Sequence, residues 1–214
     1  MNNIWNKVYS ENPTFFGEGP SEFAKKCYEY FIQNNVKKTL DLGCGQGRDT
    51  IFFSLNNLEV YAVDSSIVAI ESIQKFKIKN NQSINATCID TKQGFPFENN
   101  YFDAIYSHMF YNMNFTNEEL KFLFQESNRV LKTKGLLCFS VRSDKDELFN
   151  TGKKINKNED IYEINGFQIR FFSIEQIKSL LTSYYFKIDK IMQDNEDLAN
   201  LYLVFCYKNK IFQV

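Results

Sequence analysis

The sequence predicts an α/β fold, doubly wound around a mostly parallel seven-stranded sheet, with an antiparallel C-terminal hairpin and helices on both faces. Three observations predict it. The first is the stretch 39–49, Thr-Leu-Asp-Leu-Gly-Cys-Gly-Gln-Gly-Arg-Asp, where an apolar run breaks into a glycine turn and helix-compatible sequence follows. The second is the repeated alternation downstream of short β-rich runs with amphipathic stretches, the pattern of parallel strands and crossover helices. The third is the ending, Phe186–Ile191 and Leu201–Tyr207, two strand-like runs joined by a short link with acidic residues in 194–197. A short link between consecutive strands makes them an antiparallel pair.

In chain order, residues 1–20 form an aromatic-rich lead-in containing Trp5, Tyr9, Phe15 and Phe16. Pro20 and Ser21 open a helix whose apolar positions Phe23, Cys27, Tyr30 and Phe31 keep helical spacing, and Asn34-Asn35 ends it. After the glycine turn, Leu58–Asp64 reads as a second strand closing in an acid. An amphipathic helix with Ile67, Ile70, Ile73 and Phe76 on one face leads to a third strand, Ile84 to Ile89, which meets Asp90. Phe102–Ser107 is the fourth strand, with Asp103 at its far end from the crevice and Ser107-His108 at its carboxyl end.

Thr116-Asn-Glu-Glu119 is a capping box opening a long helix that runs to Gly135, read as its C-terminal signal, before a fifth strand at 136–142. Residues 143–172 interrupt the alternation and contain a hairpin turning at Asn165-Gly166. Ser173-Ile-Glu-Gln176 caps the last helix. No repeat or linker divides the chain, so one domain is expected over 1–214. Its parts are a lead-in and helix (1–35), a ligand-binding core (36–142), an insertion (143–172) and a closing helix and hairpin (173–214).

The glycine turn is the stretch with chemistry in it. Gly43, Gly45 and Gly47 permit positive φ and let a ligand lie on bare backbone, and the helix start beyond them attracts an anionic group. The dinucleotide fingerprint G-x-G-x-x-G/A needs a small residue where this chain has Arg48, which weakens a nicotinamide-cofactor reading without removing it. Asp41 is a carboxylate in an otherwise apolar strand, costly to bury unless a cation or donors satisfy it. Asp64 closes the second strand where a ribose diol would be held, or caps the next helix with Ser65 and Ser66. His108, the single histidine, is the candidate for a proton-transfer group at the acceptor, the alternative being a hydrogen-bonded loop histidine.

The pattern Asp41-Leu-Gly-Cys-Gly-Gln-Gly47 resembles the first motif of class I S-adenosylmethionine-dependent methyltransferases. The Pro-Phe pair before Phe102-Asp-Ala-Ile105 and the Arg129-Val-Leu-Lys-x-x-Gly135 run are further likenesses. The insertion around Arg142, Phe149 and Arg170 is similar to that of tellurite-resistance-type and methyltransferase-domain 11/25-like proteins, the small-molecule type. The resemblance implies S-adenosylmethionine as cofactor and S-adenosylhomocysteine as product. It places Asp41 by the cofactor's ammonium group, with Gly43, Cys44, Gly45, Gly47 and Arg48 as the turn and Asp64 and Ser65 at the ribose. Ile89, Asp90 and Thr91 then form the adenine pocket, and Ser107 lies at the crevice. It also implies a lid from Tyr9, Phe15 and Phe16. Arg142 and Arg170 either grip an anionic acceptor or pair with Asp144 and Glu163.

Composition bounds the partners. The net charge is −1, from 25 basic and 26 acidic residues spread along the chain, so neither nucleic acid nor a membrane surface is an expected partner. Five scattered cysteines without a C-x-x-C pair suit a reducing compartment and neither a disulfide nor a metal framework. With no leader-like start and no apolar run near 18 residues, a cytoplasmic monomer or homodimer acting on a small-molecule acceptor is expected. Two other functions stay open: a nicotinamide-dependent oxidoreductase on a variant turn, and a non-catalytic S-adenosylmethionine-binding module.

Overall fold

Residues 4–157, 159–196 and 198–209 are described by the computed structural model. The expectations touching 1–3, 158, 197 and 210–214 lie outside the described residues: the first residues of the lead-in, one residue of the insertion, the last acidic residue of the hairpin link and the chain end. The lead-in is not irregular but begins with helix α1 (Ile4–Glu11). It is followed by α2 (Glu22–Gln33), β1 (Lys38–Leu42), α3 (Arg48–Leu55), β2 (Glu59–Asp64), α4 (Ile67–Asn80) and β3 (Ile84–Cys88). A single 3-10 turn, Thr91–Gln93, precedes β4 (Phe102–His108), α5 (Asn117–Val130) and β5 (Leu131–Arg142). The insertion contributes β6 (Lys153–Lys154), β7 (Ile161–Ile164) and β8 (Phe167–Arg170), and the chain closes with α6 (Ile174–Ser183), β9 (Phe186–Glu196) and β10 (Ala199–Lys208).

The sheet order is β3-β2-β1-β4-β5-β10-β9, parallel except for β10, which runs antiparallel to both β5 and β9. Side-chain alternation gives each central strand two buried faces. On one face Leu40, Leu42, Ile105, Leu137, Phe139 and Val204 pack against Leu123 and Phe124 of α5 and Ile177 and Leu181 of α6. On the other, Ala104, Tyr106, Cys138, Leu203 and Phe205 meet Phe23, Cys27 and Phe31 of α2 and Phe53 of α3. The strand order reverses between β1 and β4, and in such sheets the crevice at the carboxyl ends next to that reversal receives ligands.

Local chemistry sets most boundaries. Ser21, Ser66, Thr116 and Ser173 each accept an amide hydrogen bond at a helix start, the last two within full capping boxes. The signal read at Gly135 is different from what was expected. Helix α5 stops at Val130 and the chain passes straight into β5, with Gly135 inside the strand and positive φ falling on Lys134 (65°). Gly135 is needed there for space, since a Cβ would come within 2.8 Å of the Lys132 carbonyl. Asp103 is structural, as expected: its Oδ2 accepts from the amides of Lys37 and Lys38, and its Oδ1 from Lys132 Nζ at 2.6 Å.

The insertion folds as a small antiparallel sheet, with Asn165 (φ 51°) and Gly166 (φ 82°) making the two-residue turn between β7 and β8. Its two arginines do not have the partners expected from sequence. Arg142 donates to Asp146 at 2.8 Å rather than to Asp144, which instead accepts from Tyr202. Arg170 is buried and meets Glu159 at 3.2 Å, not Glu163, while donating to the Phe115 carbonyl at 2.6 Å and to Asn117 Oδ1. This one guanidinium fastens the insertion to the loop between β4 and α5. Breaking a buried pair leaves its partner uncompensated. Arg170→Met is therefore expected to destabilise the protein by about 3–5 kcal/mol, read as a lowered urea midpoint with the far-ultraviolet spectrum unchanged before the transition.

Candidate active site

A cavity of about 1700 Å³ opens at the carboxyl ends of β1 to β4, beneath α1 and the β7–β8 hairpin. A single small-molecule site measures roughly 300–1,000 Å³. The space suits a cofactor together with a second molecule.

The floor is the turn after β1. Gly43, Gly45 and Gly47 all have positive φ (78°, 51° and 90°), so each satisfies a backbone demand. Each is also closely approached. A Cβ would meet Phe110 at 2.4 Å from Gly43, the Tyr9 hydroxyl at 2.9 Å from Gly45, and Ile73 at 2.4 Å from Gly47. Gly47 thus makes room for α4, whereas Gly43 and Gly45 make room for Phe110 and Tyr9, side chains that themselves border the cavity. Cys44, between them, borders the cavity, and burial pushes its thiol well up.

Three acids stand around this turn. Asp41 is 2 % exposed and accepts from the Thr50 hydroxyl at 2.5 Å. Burial, with the neighbouring Asp49 and Asp64, pushes its carboxyl up to about 8 against the pull of Thr50. A cation brought to this spot would reverse that shift, so the donor set fits an ammonium group. Asp64 ends β2 with Oδ2 on the Gly45 amide (2.9 Å) and Oδ1 on the Ser66 amide (2.8 Å). Burial raises its carboxyl above the ordinary value while these amides oppose the rise. It therefore ties the turn to the next helix, the capping role, and still borders the cavity together with Ser65. Asp90 caps the 3-10 turn by accepting from the Lys92 amide at 3.1 Å, and with Ile89 and Thr91 it forms the far wall.

Residues of the glycine turn also grip the segment after α1. Gln46 Oε1 accepts from the Phe15 amide, Gln46 Nε2 donates to the Asn12 carbonyl, and Arg48 Nη1 donates to the Phe16 carbonyl at 2.5 Å. Arg48 lies on the cavity wall, and its side chain is spent on Phe16 and on Glu196 at 3.8 Å. Trp5 reaches across to Phe167 of the insertion, ring centroids 5.4 Å apart, so the segment roofs the cavity. Tyr9 is buried beneath it, and its phenol is pushed up by burial and by the nearby Asp64.

At the end of β4 two expected residues divide. Ser107 is fully buried behind the wall and donates to the Leu42 carbonyl at 3.0 Å; it joins β4 to β1 and does not border the cavity. Alternation along β4 explains this, because Tyr106 and His108 face the α2 side and Ser107 faces the α5 side. His108 does border the cavity. Its Nδ1 lies 2.7 Å from Ser140 Oγ, which already accepts from the Met109 amide at 3.0 Å. Ser140 Oγ has two lone pairs and can accept from both the Met109 amide and an Nδ1–H, and Nε2 lies 4.0 Å from Glu196.

Sequence reading missed the network that aligns this end. Asp49 accepts from the Ser21 amide and hydroxyl and from the Tyr106 hydroxyl (2.6 Å), joining the starts of α2 and α3 to β4. It read Ser107–Tyr111 as facing the crevice, which holds for His108, Met109 and Phe110, but it missed Asn112 in the loop beyond, which carries no motif. Among the described residues no group of three or more His, Cys, Asp or Glu is placed to hold a metal, and no helix is long and apolar enough to cross a membrane.

With this geometry established, comparison with known proteins gives consistent results. Residues 39–135 match the family described as "Methyltransferase domain". The chain is 29% identical over 111 residues to the biotin biosynthesis bifunctional protein BioHC of Saccharophagus degradans, a match covering 52% of this chain and 19% of that protein. It thus spans about a fifth of that relative's length. An S-adenosylmethionine-dependent methyltransferase from Clostridium acetobutylicum shares the fold, with a TM-score of 0.73 at 17% identity over 97% of this chain and 100% of that one. So does a 1,6-didemethyltoxoflavin-N1-methyltransferase from Burkholderia thailandensis, solved with its acceptor and S-adenosylhomocysteine (TM-score 0.69, 13% identity, 89% and 80% covered). Residues 39–135 thus match a methyltransferase domain, and the sheet order gives the chain the fold of S-adenosylmethionine-dependent methyltransferases.

Proposed function

We propose that this chain is an S-adenosylmethionine-dependent methyltransferase and that it acts on a small-molecule acceptor held in the half of the cavity between the loop after β4, the insertion hairpin and Trp5. One observation carries the reading: a single cavity has carboxylates flanking the glycine turn at one end and has further room, lined by aromatic rings, at the other. The Burkholderia thailandensis neighbour, which was solved with a small acceptor bound, is in keeping with it. No observation favours a nicotinamide oxidoreductase or a non-catalytic module.

In this reading Asp41 receives the ammonium group, and the Gly43–Gly47 backbone, with Cys44, supports the amino-acid tail. Asp64 and Ser65 hold the ribose, and Ile89, Asp90 and Thr91 hold the adenine. Arg48 acts at one remove, by holding the roof segment down. The cofactor supplies a methyl group already activated on sulfonium sulfur. What remains for the chain is to align the acceptor and exclude water. Tyr9, Phe15 and Phe16 provide the exclusion. With its Nδ1–H on Ser140 Oγ, His108 takes at Nε2 the proton of an acceptor that has one to lose, and Glu196 stabilises the resulting imidazolium. We further propose one domain, working in the cytoplasm as a monomer or homodimer, with its thiols reduced.

Three outcomes test this. Hydrogen bonds to a charged group are each worth about 1.5–3 kcal/mol. Asp64→Asn should therefore weaken S-adenosylhomocysteine binding about 10- to 150-fold by calorimetry, and unchanged affinity would remove the ribose role. Asp41 has a raised folded-state value of about 8, so near pH 7 it is mostly protonated and ionises when an ammonium group arrives. Binding at pH 7 should then release close to one proton, seen as a dependence of the binding heat on buffer ionisation enthalpy, and Asp41→Asn should abolish that release. His108→Ala should lower kcat by about 10²- to 10⁴-fold for protic acceptors while leaving S-adenosylhomocysteine affinity as it was.

A further inference from the structure

Outside glycine, most of the described residues with positive φ are asparagines, which tolerate that region. Of the others, Lys134, Tyr185 and Leu198 are exposed, but Met109 (φ 55°) is half-buried and borders the cavity directly after β4. Left-handed backbone is sterically costly for a methionine, and such outliers persist where their surroundings over-determine them, often at ligand sites. Here the Met109 amide donates to both the carbonyl (3.1 Å) and the hydroxyl (3.0 Å) of Ser140 on β5. The same hydroxyl holds His108 Nδ1 at 2.7 Å.

What the turn achieves is the placement of the next ring. Phe110 packs on Gly43 at the end of β1, so closely that a Cβ on Gly43 would collide with it. Phe115 and Tyr111 brace it from behind, with ring centroids 5.0 Å and 5.4 Å away, and it too is half-buried beside the cavity. The sheet order puts this ring on a boundary. Across the carboxyl ends, Ile89 and Asp90 follow β3, Asp64 ends β2, Asp41 and Gly43 belong to β1 and its turn, and β4 comes next. A cofactor seated on those acids spans β3 to β1, and the acceptor room lies beyond β4. A group passing from one to the other crosses where Phe110 stands.

We propose that Phe110 borders the transferred methyl group and sets how closely an acceptor can approach it, and that the left-handed Met109 holds the ring there. The proposal deepens the methyl-transfer reading above and rests on it. Transfer depends steeply on alignment of the reacting atoms. A ring braced between Gly43 and Phe115 is a fixed stop, which a side chain on a free loop would not be. Met109 acts through Phe110 and is a positioning residue. Neither takes part in making or breaking a bond.

The test uses the whole chain saturated with S-adenosylmethionine labelled with carbon-13 in its transferable methyl, after calorimetry has established that this ligand binds. An aromatic ring beside a methyl group displaces its proton resonance, so the bound methyl signal in a proton–carbon correlation spectrum reads the ring's position without any acceptor. Phe110→Leu should move that signal. Phe97→Leu should not, because Phe97 packs on Tyr101 and Phe102 at the start of β4, away from the cavity. Met109→Val, whose β-branch opposes left-handed backbone, should move the signal in the same direction as Phe110→Leu. Met109→Asn, which tolerates that backbone, should keep it at the wild-type position. Melting curves verify that each variant folds. The proposal is overturned if Phe110→Leu or Met109→Val leaves the signal where the wild type has it, or if Met109→Asn moves it as far as Met109→Val does. Failure of S-adenosylmethionine itself to bind is a separate result, and it overturns the underlying reading instead.

Discussion

Asp64 holds two backbone amides at once, Gly45 of the turn after β1 and Ser66 of the start of α4. The rest of the site depends on this bridge. It fixes the bare turn relative to the next strand, so that the carboxyl ends of β1 and β2 act as one surface. The same turn extends Gln46 and Arg48 outward to the segment that roofs the cavity. Floor and roof are therefore built from one loop. A shift in that loop would be felt at the Phe15 amide and the Phe16 carbonyl without any long-range pathway.

Much of this was legible in the sequence, and the reasons are local. The glycine turn, both capping boxes and the Asn165-Gly166 hairpin are governed by neighbours a few residues apart, so short-range chemistry identified them. The antiparallel ending followed from loop length. The errors have equally physical causes. Gly135 sits where a helix signal is commonly found, but its reason for being glycine is the Lys132 carbonyl packed against it. Arg142 and Arg170 were offered nearby acids, and the fold gave them others, because the pleat and the insertion decide which acid each side chain meets.

The candidate site was legible only in part. Asp41, Asp64 and Asp90 announce themselves as acids ending or interrupting apolar strands. Ser107 was included by adjacency to His108, yet strand alternation turns neighbours to opposite faces and leaves it inside the core. Asn112 lies in a loop with no motif, and its position comes from contacts distant in sequence, such as that of its carbonyl with the Arg170 amide. Asp49 was visible beside the glycines, but nothing near it in sequence announces its partners, Ser21 and Tyr106.

The outer rim of the sheet carries a last consequence. Strand β9 pairs with β10 on one side and, among the described residues, has no strand on its other side. An unpaired rim offers its amides and carbonyls to any extended chain that drifts near. Along this rim Lys187, Asp189 and Lys190 are exposed, beside the half-buried Ile188 and Ile191. Charged side chains on an edge strand discourage a second molecule from docking strand to strand, so the hairpin that closes the sheet also guards its rim.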